Sequence, residues 1–179
     1  WLVQNMGPPQ LYLNNGSGVF TDVSSTNLPA NAGGATHIMT GCMAVDLDQD
    51  GDLDVLLPDS NGLPTILTNQ GAAVFTLAPR GLALFAGPAY ARDLDGDGRD
   101  DLVVGSGRFL LRNLGNLTFA APKPLPGPSV DAIDYDEDGD LDPFYANFVY
   151  RNDGTASFTA LPASGVWPYH PRSEEHTSE

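Results

Sequence analysis

Two short patterns alternate along this chain, and their alternation constrains the fold more than any other feature. The first is a nine-residue motif, D-x-D-x-D-G-x-x-D, which begins at Asp46, Asp93 and Asp134, giving spacings of 47 and 41 residues. The second is N-x-G-x-x-x-F. It begins at Asn14, Asn69, Asn113 and Asn152 and ends at Phe20, Phe75, Phe119 and Phe158. Self-similarity at a period of about 40–50 residues marks a repeat architecture, in which each unit buries its apolar faces against its neighbours.

Each unit reads as four short strands. Met43-Ala44-Val45 leads into an Asp motif, and Val55-Leu56-Leu57 or Leu102-Val103-Val104 follows one. Leu11-Tyr12-Leu13, Ile66-Leu67, Phe109-Leu110-Leu111 and Phe148-Val149-Tyr150 precede the N-x-G turns, and the Phe lies on the fourth strand. Asn-Gly and Asp-Gly supply the positive φ angles of a tight hairpin. Helical periodicity is not sustained over ten residues anywhere. Four strands in such a period is the size of one propeller blade. The expectation is an all-β chain, a β-propeller fragment of about three and a half four-stranded blades with Asp-rich loops.

The units are then as follows. Residues 1–23 supply the last two strands of one blade. Blades at 24–79, 80–121 and 122–160 carry the motifs 46–54, 93–101 and 134–142, and 161–171 begins another. Residues 172–179 (RSEEHTSE) match a translated sequencing-adapter oligonucleotide and are set aside from fold reasoning. The remaining blades are expected outside this stretch, as is any secretion leader, since the chain begins at Trp1.

Charge points to a metal. The chain carries a net charge of −15, and the three motifs hold 15 Asp and one Glu of its 23 acidic residues. Only eight Lys and Arg oppose them. Carboxylates crowded into nine residues repel one another unless a cation sits among them. In such a loop, carboxylates at positions 1, 3 and 5 turn inward, the carbonyl at 7 adds an oxygen and the Asp at 9 closes the shell. The expected ligands are Asp46, Asp48, Asp50 and Asp54; Asp93, Asp95, Asp97 and Asp101; and Asp134, Asp136, Asp138 and Asp142. Asp52, Arg99 and Asp140 contribute backbone carbonyls, and the Arg99 side chain screens its neighbours. An all-oxygen, flexible set suits Ca²⁺ over Mg²⁺ and offers nothing soft for zinc or copper. About three ions follow, one per loop. An EF-hand is excluded because position 12 is Leu57, Val104 or Tyr145 rather than Glu, and the flanks are strand-like.

With these loops, the apolar strand after each, and Leu11-Tyr12-Leu13-Asn14-Asn15-Gly16-Ser17-Gly18-Val19-Phe20-Thr21, the chain resembles the FG-GAP/VCBS repeat family, related to the calcium blades of integrin alpha propellers. The resemblance covers about residues 8–160. It implies a β-propeller, extracellular or at the cell surface, whose ions pin the hairpin between a blade's first two strands. Two departures stand out: Pro143 directly follows the third loop and removes a strand N–H, and the signature Phe-Gly/Gly-Ala-Pro pair is only echoed at Phe85-Ala86-Gly87-Pro88-Ala89.

The functional expectation is a calcium-stabilised, secreted repeat module for adhesion or for binding a protein or glycan, without catalysis of its own. The alternative is the propeller portion of a secreted enzyme, of polysaccharide lyase or phospholipase type, with catalytic residues elsewhere. The connector 24–40 is the expected contact surface. His37 and His170 lie beside no nucleophile motif, and no phosphate-binding fingerprint occurs. An acidic surface argues against nucleic acid, and no apolar run reaches the ~18 residues of a membrane span. Asn15-Gly16-Ser17 and Asn116-Leu117-Thr118 have the form of glycosylation acceptors, although turn geometry already accounts for them. The single cysteine, Cys42, is expected in the core.

Overall fold

The computed structural model describes residues 2–3, 9–32, 42–57, 65–78 and 90–161. Four antiparallel sheets follow one another along the chain. The first holds β1 (Leu2–Val3), β2 (Gln10–Asn14) and β3 (Phe20–Asp22), followed by a single helical turn α1 (Ser24–Asn27). The second holds β4 (Met43–Val45), β5 (Asp54–Leu57), β6 (Thr65–Asn69) and β7 (Phe75–Leu77). The third holds β8 (Tyr90–Arg92), β9 (Asp101–Val104), β10 (Phe109–Leu111) and β11 (Lys123–Pro124). The fourth holds β12 (Asp131–Ile133), β13 (Asp142–Tyr145), β14 (Phe148–Asn152) and β15 (Phe158–Ala160). Every sheet pairs its strands in chain order, the meander of a propeller blade.

The inner strands are apolar at consecutive positions because both of their faces are covered. In β9, Leu102 and Val104 join Val45, Leu47, Leu56 and Ile66 of the second sheet. Val103 points the other way, towards Ala132 and Ala156 of the fourth. Val55 and Leu57 likewise turn back onto Leu11 of the first sheet. Side chains of period two thus divide between two neighbours, and the core is a series of layers between sheets. The outermost strands have little to bury: β3 is exposed throughout, and β7 and β15 mostly so.

Several details differ from the sequence reading. The first sheet has three strands rather than two, because Leu2–Val3 pairs with Gln10 and Leu11. In the third sheet Phe119 makes only an isolated bridge to Asn113, and Lys123–Pro124 completes the sheet against Phe109 and Leu110, beyond the boundary drawn at 121. The N-x-G turns are not tight hairpins. Asn pairs with Phe across five intervening residues in each, closed by an N–H to C=O bond such as Gln70 to Val74 (2.7 Å) or Leu114 to Thr118 (2.8 Å). Three successive left-handed residues make the reversal in two of them, Gly71-Ala72-Ala73 and Gly115-Asn116-Leu117. Cys42 is exposed, not in the core. It shares the phase of exposed Ala44, whereas Met43 and Val45 turn inward.

Pro143 leaves its mark as expected. The β13–β14 ladder consists of the Phe144–Val149 and Tyr145–Phe148 pairs. The equivalent β9–β10 ladder has a third pair, Leu102–Leu111, at the position Pro143 would occupy. The Phe85–Ala89 echo, His37, His170, the part of the contact segment at 33–40, and everything expected at 162–179 lie outside the described residues.

Candidate metal centres

The three Asp motifs form the turns between the first two strands of the second, third and fourth sheets. Their coil is built by left-handed residues at two positions. Position 6 is Gly51, Gly98 or Gly139 (φ 92°, 84° and 97°). Position 4 is left-handed too, in Gln49 (68°), Gly96 (70°) and Glu137 (61°), a strain the motif does not announce. The position-1 carboxylate caps the coil by accepting the position-6 N–H, from Gly51 to Asp46 (3.1 Å), Gly98 to Asp93 (2.8 Å) and Gly139 to Asp134 (3.2 Å).

Inside the coils, carboxylates converge. One oxygen each from Asp46, Asp48 and Asp50 lies within 4.8 Å of the others, as do Asp93, Asp95 and Asp97, and Asp134, Asp136 and Asp142. Asp138 is absent from the third group; it accepts the Asp140 N–H at 3.0 Å, a bond its equivalents also make. In the first two loops Asp52 and Arg99 donate their N–H to Asp50 and Asp97. The Arg99 guanidinium also pairs with Asp97 and donates to the Asn113 carbonyl at 2.8 Å.

Position 9 has a different part. Asp54, Asp101 and Asp142 are fully buried. Each spends one oxygen on the position-2 N–H of its own loop: Leu47 (3.0 Å), Leu94 (3.3 Å) or Tyr135 (2.9 Å). The other oxygen accepts the backbone N–H of the Asn opening the N-x-G turn: Asn69 (2.9 Å), Asn113 (2.8 Å) or Asn152 (2.7 Å). These aspartates tie the metal loop to the turn at the same end of the sheet. A carboxylate oxygen has a second lone pair, so this bonding leaves room for a cation.

The Asn side chains carry the link across sheets. Asn113 Nδ2 donates to the Asp100 carbonyl of its own loop and to the Leu47 carbonyl of the preceding one, both at 3.2 Å. Asn152 Nδ2 repeats this with Leu141 (3.1 Å) and Leu94 (2.8 Å). A buried relay therefore runs from Leu47 through Asn113, Asp101, Leu94 and Asn152 to Asp142, touching all three loops. The motif reading treated these Asn as turn residues only. The available signal was that all four turns begin with Asn although Asp also suits such turns.

The carboxylates of the loops repel one another and are held in partly buried surroundings. Burial pushes the Asp101 carboxyl up to about 7, against its two backbone donors and aided by Asp95 and Asp97. Burial raises Asp54 and Asp142 as well. Asp48 and Asp95 rise for the same reason, helped by neighbouring carboxylates, while Arg112 pulls Asp95 back. The side chain of Asp95 is 8% exposed, and its Oδ1 has no hydrogen-bond partner among the described residues. An orphaned buried carboxylate oxygen inside an all-oxygen cluster is what a hard cation would satisfy. The residues fit such an ion.

A family model described as an FG-GAP-like repeat matches the chain three times, over residues 1–57, 46–104 and 93–145. The second and third matches each begin at the first Asp of a loop and run through the strand after the next. No curated protein matches the chain.

Proposed function

This chain belongs to the FG-GAP-like repeat family, and from that premise we propose that it is a calcium-stabilised, extracellular, non-catalytic module that binds a protein or glycan. It is a propeller-type repeat module whose Asp clusters can hold ions. The observation that carries the calcium reading is the convergence of three carboxylates in each loop, with Asp95 Oδ1 buried and unpartnered in the second. Asp46, Asp48, Asp50, Asp93, Asp95, Asp97, Asp134, Asp136 and Asp142 would hold the ions. When bound, calcium supplies charge neutralisation and oxygen coordination, and its binding energy becomes folding energy.

An extracellular setting supports this use, because modules of this kind have calcium affinities of ~10⁻⁴–10⁻³ M. FG-GAP-like repeats are typical of extracellular and surface proteins. The binding role rests on the rigid scaffold and on connectors that vary in length from unit to unit.

Thermal melts of the chain in excess calcium and in EDTA test the structural role. Calcium should raise the melting temperature by several degrees, and superimposed melts would remove the reading. Replacing Asp95 and Asp97 by Ala should abolish one ion per chain and leave two, counted by calorimetry.

A further inference from the structure

The three loops are not electrostatically equal. In two of the sheets the side chain of the residue before the turn Asn reaches position 3 of the metal loop. In the third sheet it is Arg112, whose Nε stands 2.8 Å from Asp95 Oδ2 as an ion pair without an aligned hydrogen bond. In the second sheet it is Thr68, whose hydroxyl pairs instead with the Thr76 hydroxyl at 2.9 Å. In the fourth it is Arg151, 3.5 Å from Asp136 in a pair whose side chains are 55% and 32% exposed.

Counting formal charge shows the consequence. Loop 46–54 carries five Asp and, among the described residues, no arginine paired with it, hence −5. Loop 134–142 carries five Asp and Glu137, offset by Arg151, again −5. Loop 93–101 carries five Asp, offset by Arg99 on Asp97 and Arg112 on Asp95, hence −3. Two of its three converging carboxylates already hold a guanidinium. Of the two paired carboxylates Asp95 is the more deeply buried, 8% exposed against 24% for Asp97, while Arg112 itself is 42% exposed and partly screened by solvent.

We propose that Arg112 is a resident counter-cation that sets the calcium affinity of loop 93–101 below that of the other two loops. This rests on the calcium reading above. Arg112 is a positioning and affinity-setting residue: it neutralises Asp95 while the loop is metal-free, and its charge opposes an arriving divalent cation. In the second sheet Thr68 stands at that place, and among the described residues no cation offsets the carboxylates of loop 46–54.

The test is a calcium titration of the 179-residue chain with Arg112→Gln and Arg112→Lys variants. It is run by chelator competition from the calcium-loaded state, so that a variant needing the ion to fold is still measured. The native chain should show two tight sites and a third roughly tenfold weaker. Arg112→Gln should tighten that third site about tenfold and enlarge the calcium-induced rise in melting temperature, since its metal-free form loses the partner of a buried carboxylate. Arg112→Lys, which keeps the charge, should stay near the native values. Three equal native sites, a third site unchanged or weakened by Arg112→Gln, or equal tightening by Arg112→Lys would each overturn the proposal while leaving calcium binding intact. No uptake at millimolar calcium would overturn both.

Discussion

Single residues at the loop-bearing end of the sheets hold this molecule together more than their chemistry suggests. Asn113 has no exposed surface and its side chain serves three backbone groups: the carbonyls of Leu47 and Asp100, and the N–H of Gly115. Asn113→Ala strands the Leu47 carbonyl and the Gly115 N–H in a buried setting, while the Asp100 carbonyl is exposed enough to find water, and urea unfolding should report a loss of about 3 kcal/mol. Asn14 opens the equivalent turn of the first sheet, where it is exposed and, among the described residues, its side chain bonds Gly16 and Gly18 of its own turn. Asn14→Ala should cost under about 1 kcal/mol.

Tyr90 offers a titration at the same scale. Its hydroxyl meets Ser129 Oγ at 2.8 Å, joining β8 to the segment before β12. Burial pushes its phenol from 10.0 up to about 12; Asp131 adds to the rise, while Ser129 and Arg92 oppose it. Between these values the folded chain holds a proton that the unfolded chain has lost. Stability should therefore be full below pH 10 and fall as pH rises towards 12, by roughly 2 kcal/mol. Tyr90→Phe should flatten that part of the stability–pH curve.

At the scale of elements, each sheet depends on close backbone approach as well as on side chains. Gly107, in the turn between β9 and β10, lies under Ser129, whose backbone N–H donates to the Gly107 carbonyl at 2.9 Å. A Cβ there would stand 1.7 Å from the Ser129 carbonyl oxygen, at a φ of +74°. Gly107→Ala must displace the 125–130 segment, which carries buried Leu125, and should cost more than about 3 kcal/mol. Gly98→Ala meets no heavy atom within 4 Å and carries only the strain of its +84° φ, so its cost should stay near about 1 kcal/mol. The ranking is checked by denaturant midpoints of the two variants.

The element scale also shows how far the strand plan was legible. Short apolar runs and the interleaved motifs placed the inner strands to within two residues at each end. The N-x-G turn was located by sequence but misjudged in shape. Its five-residue loop needs left-handed Ala72, Ala73 and Leu117, residues that carry no sequence mark of such a conformation.

Across the whole molecule, stability is shared between neighbouring sheets, as in other repeat architectures. Leu102 is fully buried, lies on β9 and packs into the second sheet. Leu102→Ala leaves a cavity in that layer and should cost about 2–5 kcal/mol. Hydrogen exchange should accelerate in both the second and third sheets, and acceleration confined to the third would argue that the sheets unfold separately. Arg92 of β8 and Asp131 of β12, 3.0 Å apart, add an inter-sheet ion pair, and Lys123 Nζ donates to the Ala156 carbonyl at 2.8 Å. Both exposed ends of the first pair limit it to a small contribution.

Sequence by itself determined the repeat, the all-β class and the position of every acidic loop, because local chemistry repeats wherever the same strand, coil and turn must be built. It could not separate the roles of the aspartates within a loop. Asp54, Asp101 and Asp142 look like their neighbours in the motif, yet their burial and their bonds to Asn69, Asn113 and Asn152 depend on strands 10 to 15 residues away. The link from Asn113 to Leu47 spans 66 residues. Contacts of that range are set by how one sheet stacks on the next, and only the tertiary structure could decide them.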